Sequence, residues 1–215
     1  MRSRISADVR RPPCRVLLAL LPLLLLCSCW FSQNKLQSVK AAGELVVLTR
    51  VSPTTYYENP EGPAGFEYDL ARAFADHLGV RLRLVLADKF ADVIPRLANG
   101  EADLAAAGIT VTESRRAHVK FSPPYQEIRQ QVVYRLGTPR PAGVQELIGR
   151  RIEIHAGTSY VDRLEELKRD DPTLEWIETE EYETEALLQM VWDGLLEITV
   201  ADSNIVALNR QFFPE

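Results

Sequence analysis

The sequence predicts an α/β protein of two lobes, each organised around a doubly wound sheet. Three observations carry that reading. A strand–helix–strand–helix–strand pattern fills residues 44–108, a Gly/Pro-rich break follows at residues 137–143 (GTPRPAG), and the alternation then restarts. Strands joined by helical crossovers pair in parallel. In open α/β sheets a ligand lies beyond the carboxyl ends of the strands, so the cleft between the lobes is the expected binding place.

The elements follow in order. Residues 44–48 (ELVVL) are a short apolar run, the mark of a buried strand. Pro53, Pro60, Gly62, Pro63 and Gly65 predict an irregular loop over 52–65. Phe66, Leu70, Ala73, Phe74, His77 and Leu78 recur at helical spacing and predict an amphipathic helix packed on that stripe and ended by Gly79. Residues 81–86 (RLRLVL) alternate as a strand; Phe90, Val93, Ile94 and Leu97 mark a second helix closed by Asn99-Gly100; residues 103–108 (DLAAAG) form a third strand. After the break, helices are expected near 144–148, at 160–168 and at 184–195, with strands at 151–155, near 174–177 and at 198–201. The first lobe is therefore assigned to residues 44–135 and the second to 136–215.

Composition bounds the function. The chain has 215 residues, 46% apolar and 26% charged, enough to bury a core. Its net charge is −5. Five of the 25 basic residues and one of the 30 acids lie in residues 1–29, which leaves 20 basic against 29 acidic residues beyond them. An acidic body without a Lys/Arg cluster excludes nucleic acid and anionic membrane surfaces as partners.

Residues 16–26 (VLLALLPLLLL) form an apolar run behind an Arg-rich start, too short to span a bilayer and suited to the core of a secretory signal. Cys14, Cys27 and Cys29 are the chain's three cysteines, so the body has no disulfide framework. Leu26-Cys27-Ser28-Cys29 resembles the lipobox of bacterial lipoproteins. That resemblance implies a lipoprotein signal peptide over 1–29, lipidation of Cys29, and an outer-membrane location, since Trp30 stands where inner-membrane retention uses Asp. Residues 30–43 are read as a polar tether.

The most informative stretch is 105–125, AAAGITVTESRRAHVKFSPPY. Gly108 lets backbone approach a ligand, Thr110 and Thr112 supply hydroxyls, and the Arg115 guanidinium is able to grip a carboxylate with two parallel bonds. Together with Gly65-Phe66-Glu67-Tyr68-Asp69-Leu70, Gly100-Glu101-Ala102-Asp103 and Phe121-Ser122-Pro123-Pro124-Tyr125, it resembles the extracellular solute-binding proteins of family 3, amino-acid-binding partners of ABC importers and their relatives. The resemblance implies a type II periplasmic-binding-protein-like fold. It implies that Arg115 holds a ligand carboxylate with Thr110 and the Gly108 main chain, and that Gly157 and Thr158 close on it from the second lobe. Asp202 then pairs with a ligand ammonium, and Tyr56 or Tyr57 covers the ligand. Arg50 departs from the importer pattern, where an acidic or small polar residue is common.

The run Ser52-Pro53-Thr54-Thr55-Tyr56-Tyr57 makes the body similar to the N-terminal module of the membrane-bound lytic murein transglycosylases of type F. That similarity implies a regulatory module binding a cell-wall peptide or amino-acid-like ligand, beside a separate domain that cleaves peptidoglycan. It also implies a return crossing to the first lobe that the second lobe does not reach by Glu215. The alternative is an amino-acid-binding lipoprotein serving an ABC importer; a third class is a dehydratase on the same fold. Glu113-Ser114 copies the catalytic dipeptide of such transglycosylases without its setting, so no residue of this segment is read as catalytic. His77, His118 and His155 are isolated, so no metal site is expected. With no P-loop or G-x-G-x-x-G, no cofactor is expected either. Residues 178–185 (ETEEYETE) are read as a solvated acidic face.

Overall fold

The computed structural model describes residues 34–212. The expected signal peptide, the expected lipidation of Cys29 and the first part of the expected tether lie outside the described residues. The chain divides into a unit of residues 1–38 and a compact body of residues 39–215. Where the tether was expected, Lys35–Ala42 forms helix α1. Val39 is its buried residue and packs with Leu45, Val47, Ala71 and Ala75. Leu36 and Val39 among polar residues make too short an apolar pattern to mark a helix, which is why the segment reads as tether.

The first sheet has three parallel strands in the order β4-β1-β5, with β1 (Glu44–Thr49) central, β4 (Arg81–Leu86) on one side and β5 (Leu104–Ala105) on the other. The expected third strand is short. Asp103 and Ala106 still donate to the Val46 and Leu48 carbonyls, at 2.9 and 2.8 Å, and the Asp103 carboxylate accepts from the Val46 N–H at 2.9 Å. The loop over 52–65 contains a hairpin instead of irregular chain: β2 (Tyr57–Asn59) pairs antiparallel with β3 (Gly62–Ala64). Asn59 turns it, accepting from the Glu61 N–H at 2.8 Å.

Helix α2 (Phe66–Leu78) ends at Gly79 in the left-handed region, as the sequence predicts. Its buried face differs. Glu67, Ala71 and Ala75 are buried, whereas Phe66, Leu70 and Phe74 are 51%, 41% and 45% exposed. The two alanines let the helix pack close on β1, and the larger side chains are carried off that face toward solvent. A 3₁₀ turn at Phe90–Asp92 leads into α3 (Val93–Ala98), and Thr112 caps α4 (Glu113–Arg116).

The second sheet joins β7 (Glu153–His155) in parallel with β8 (Ile177–Thr179), while β6 (Gln130–Tyr134) runs antiparallel to β9 (Ile198–Asp202). A parallel bridge between Ile152 and Ile198 connects the two pairs. Strand β6 was assigned to the first lobe but pairs with the second sheet, so the chain crosses before residue 130. The Gly/Pro-rich break is a loop inside the second lobe; a break in composition marks irregular backbone, not which sheet a neighbouring strand joins. Helices α5 (Ser159–Asp170), α6 (Thr184–Asp193) and α7 (Ser203–Asn209) complete this lobe. Its core gathers Leu147, Ile152, Ile154, Tyr160, Leu164, Leu174, Ile198 and Val200.

Gly65 fixes how the hairpin loop meets α2. It has φ 136° and ψ 146°, and a Cβ there would fall on the Thr55 carbonyl. That carbonyl accepts from the Tyr68 N–H at 3.1 Å, in the first turn of α2. Gly79, by contrast, has open space around its missing Cβ. Gly79→Ala is expected to cost about 1–2 kcal/mol of stability, the left-handed backbone penalty alone. Gly65→Ala is expected to cost about 3 kcal/mol or more, because strain and collision add. Urea unfolding of the two variants side by side checks this; equal costs would contradict the packing described.

Candidate functional site

Arg115 is set by local chemistry. Gly108 takes φ 70° after β5, and the Thr112 hydroxyl accepts from the Arg115 N–H at 3.3 Å, opening the single turn of α4. The buried side chain turns back, and its Nη1 donates to the Thr110 carbonyl at 2.9 Å. Its Nη2 donates across the cleft to the Gly157 carbonyl at 3.0 Å. Those donors thus meet neutral carbonyls rather than a carboxylate. Burial draws the guanidinium pKa down, opposed by the Asp162 and Asp202 charges. The Phe90 ring centre lies 5.4 Å from the guanidinium carbon.

Asp202 stands at the end of β9, and its Oδ1 is buried with no hydrogen-bond partner. Burial raises its pKa to about 6, while the Tyr160 phenol and the Arg115 charge act the other way. The Tyr160 hydroxyl accepts from the Asp202 main-chain N–H at 3.0 Å, and burial beside Asp202 raises its own pKa. Glu67 is a second buried acid. It accepts from the Gly108 N–H at 2.7 Å and from the Tyr125 phenol, yet burial still raises its pKa.

A cavity of about 400 Å³ lies among Glu67, Gly108, Thr110, Tyr125, Ile128 and Asp202. The structure thus brings together Gly108, Thr110 and Asp202 on the cavity wall; Arg115 is tied to them through the Thr110 carbonyl, and Gly157 through Arg115. Thr158 shapes the adjoining turn, donating from its hydroxyl to the His155 carbonyl at 2.7 Å. Tyr56 is not brought to the cavity wall. Its ring packs on Tyr68 at 5.8 Å and its phenol donates to Glu58. Tyr57 lies exposed on the hairpin. A cavity of about 560 Å³ between β6, α6 and α7 holds none of the predicted residues.

Sequence reasoning missed Glu67, Phe90 and Tyr125; the acidic run is exposed at Glu178, Glu180 and Glu181, as expected, but also carries ion pairs that the sequence did not reveal. Within that run, Glu183 pairs with Arg50 and Glu180 with Lys89 at 2.6 Å, so two of its acids grip cations of the first lobe. Ser114 adds a contact to Asp162 at 3.3 Å. Gly157, at φ 72°, sits against Ala91, where a Cβ would come within 2.8 Å of the alanine methyl. The signal for Glu67 was an acid one residue inside the helix start, which the periodicity argument passes over.

A model of the bacterial extracellular solute-binding proteins, family 3, matches residues 45–215. Among curated relatives, the chain is 48% identical over 181 residues to a protein of Alkalilimnicola ehrlichii named membrane-bound lytic murein transglycosylase F 1, covering 84% of this chain and 37% of that one. It is 42% identical over 192 residues to membrane-bound lytic murein transglycosylase F of Pseudomonas putida, covering 89% and 40%. The chain thus spans about two fifths of the length of these relatives. Among solved structures, a mutant of ArgBP from T. maritima superimposes with a TM-score of 0.70 at 26% identity, covering 84% of this chain and 77% of that one. An ancestral arginine-binding protein bound to arginine gives 0.70 at 27%, covering 80% and 76%.

Asp202 generates a pH prediction. It binds its proton near pH 6 when folded and near pH ~4 when unfolded. Between those values the folded chain holds more protons, so the contribution of Asp202 to stability falls as pH rises and stays lower above. Asp202→Asn should remove that decline. Urea midpoints of both proteins at intervals from pH 4 to pH 7 check it; parallel profiles would refute the buried setting.

Proposed function

The chain belongs to the bacterial extracellular solute-binding proteins, family 3, and from that premise we propose that it is the ligand-binding regulatory module of a peptidoglycan lytic transglycosylase. The ligand is a cell-wall peptide or amino-acid-like molecule held between the lobes. One observation carries this reading: a buried guanidinium with two carbonyl partners lies within electrostatic reach of a half-buried carboxylate whose buried Oδ1 has no partner. That is the charge pattern of a zwitterion in reverse. The ligand carboxylate takes Arg115 in place of a carbonyl, lined by Gly108, Thr110, Gly157 and Thr158, and the ligand ammonium takes Asp202.

The identity to proteins named lytic transglycosylases F, against 26–27% to arginine-binding neighbours, supports the regulatory reading over an importer receptor. The cleft also speaks against arginine itself, because Arg50 and Arg115 already place two guanidinium groups on Phe90. Ligand occupancy biases hinge closure, and closure is passed to the domain that cleaves the glycan. The module is held at the periplasmic face of the outer membrane by lipid on Cys29.

Arg115→Ala is expected to weaken binding by about 1.5–3 kcal/mol, the range for a hydrogen bond to a charged group. Calorimetric titration with a panel of amino acids and cell-wall tripeptides measures it, and an unchanged affinity would sink the assignment. Because only ionised Asp202 pairs with an ammonium, affinity should rise between pH 5 and pH 7 and flatten in Asp202→Asn. For the anchor, Cys29→Ala should abolish incorporation of labelled palmitate in cells; persistence of the label would rule Cys29 out.

A further inference from the structure

Arg50 leaves β1 directly into the cleft, and three features set it apart from an ordinary ion-pairing arginine. Its side chain is 10% exposed. Its Nε is buried with no hydrogen-bond partner. Its backbone is pinned, the carbonyl accepting from the Thr55 hydroxyl at 2.7 Å. It is a rigid, desolvated donor.

Its partner is the opposite. Glu183 sits at the residue before α6 in the second lobe, and its side chain is 43% exposed. The Glu183 carboxylate lies between Arg50 and the Nε2 of His155, 3.7 Å away. His155 is 5% exposed, and its Nδ1 faces the Tyr182 carbonyl at 3.0 Å. Nε2 is buried with no hydrogen-bond partner of its own. Phe90 closes the side, with its ring centre 5.1 Å from the Arg50 guanidinium and 6.3 Å from the imidazole ring. Buried groups thus form a receptor for a carboxylate, and a partly exposed acid from the chain itself occupies it.

We infer that Arg50, His155 and Phe90 form a second carboxylate subsite, with Glu183 as an intramolecular stand-in that an acidic group of the ligand displaces. The inference rests on the zwitterion reading of Arg115 and Asp202 and deepens it by naming the ligand class. The favoured ligand is an amino acid or short peptide carrying a carboxylate beyond the one held by Arg115. Both guanidinium groups lie against the same ring, 5.1 and 5.4 Å from its centre, which keeps them close enough for one short ligand to reach both. A planar guanidinium with unused donors suits a carboxylate better than an amide, which offers a neutral oxygen and two unwanted donors.

The test is a preference ratio. The full chain is titrated calorimetrically with L-glutamate and L-glutamine, and with the dipeptides L-Ala-L-Glu and L-Ala-L-Gln. Each pair differs by one carboxylate against an isosteric amide. The wild type should favour the acid of at least one pair. Arg50→Gln should cut that preference about tenfold or more, the effect of losing one charge-assisted contact. Glu183→Gln, which removes the internal competitor, should raise the preference instead. A purely structural role for the Arg50–Glu183 pair moves both members of a pair together and leaves the ratio fixed. An unchanged ratio in both variants overturns the subsite while leaving the Arg115–Asp202 reading intact. Failure of the wild type to bind any of the four probes also overturns the subsite; the zwitterion reading then stands or falls separately on the Arg115→Ala titration.

Discussion

Everything at the cleft depends on two guanidinium groups being taken out of water. Moving a charge from water into a protein interior costs several kcal/mol unless hydrogen bonds and counter-charges replace its hydration. Arg115 is satisfied by Thr110 from its own lobe and Gly157 from the other. Arg50 pairs through Nη1 with Glu183 of the second lobe and leans on Phe90, while its Nε keeps no partner. Neither cation is fully solvated by protein unless both lobes are in place. Closure and the solvation of these cations are therefore one event, and any group that solvates them better shifts that event.

The rest of the fold serves to hold those groups at fixed positions. Gly108 turns the chain after β5 so that its N–H meets Glu67, anchored in the first turn of α2. The Thr112 cap then aims Arg115 back beneath that turn. From the other side, β7 delivers His155 and the Gly157 turn, and β9 delivers Asp202. Parallel strands ending at one level make this convergence possible, since each carboxyl end releases a loop into the same space.

Much of this was legible in the sequence, and the reason is locality. The Gly79 stop, the β1 and β4 runs and the residues around Arg115 are written in contiguous patterns, where spacing and residue type suffice. What failed was non-local. The helix stripe chose Phe66, Leu70 and Phe74 because they are large, whereas Ala71 and Ala75 face the core because a small side chain lets helix and sheet approach. Strand β6 belongs to the second sheet because of a partner some 70 residues onward, Gln130 opposite Asp202. The acidic run reads as solvated because nothing within it reveals that Arg50 and Lys89 come to meet it. Phe90 looked like core and is, but its ring also abuts two cations, a fact that only three-dimensional proximity supplies.

The clasp between the lobes is graded, and that grading sets how strongly a ligand must act. Lys89–Glu180 is exposed on both sides, so water and salt screen it and it holds the lobes only weakly. The Ser114–Asp162 contact is exposed as well. Arg50–Glu183 is buried only at the arginine, so releasing the glutamate returns a carboxylate to water at modest cost while leaving a cation that demands a partner. The two ends of that pair are thus not equivalent: the acid is easily exchanged and the base is not. A clasp with one exchangeable end lets an incoming carboxylate replace Glu183 without first opening a fully buried ion pair. The closed arrangement is then kept while its counter-ion changes.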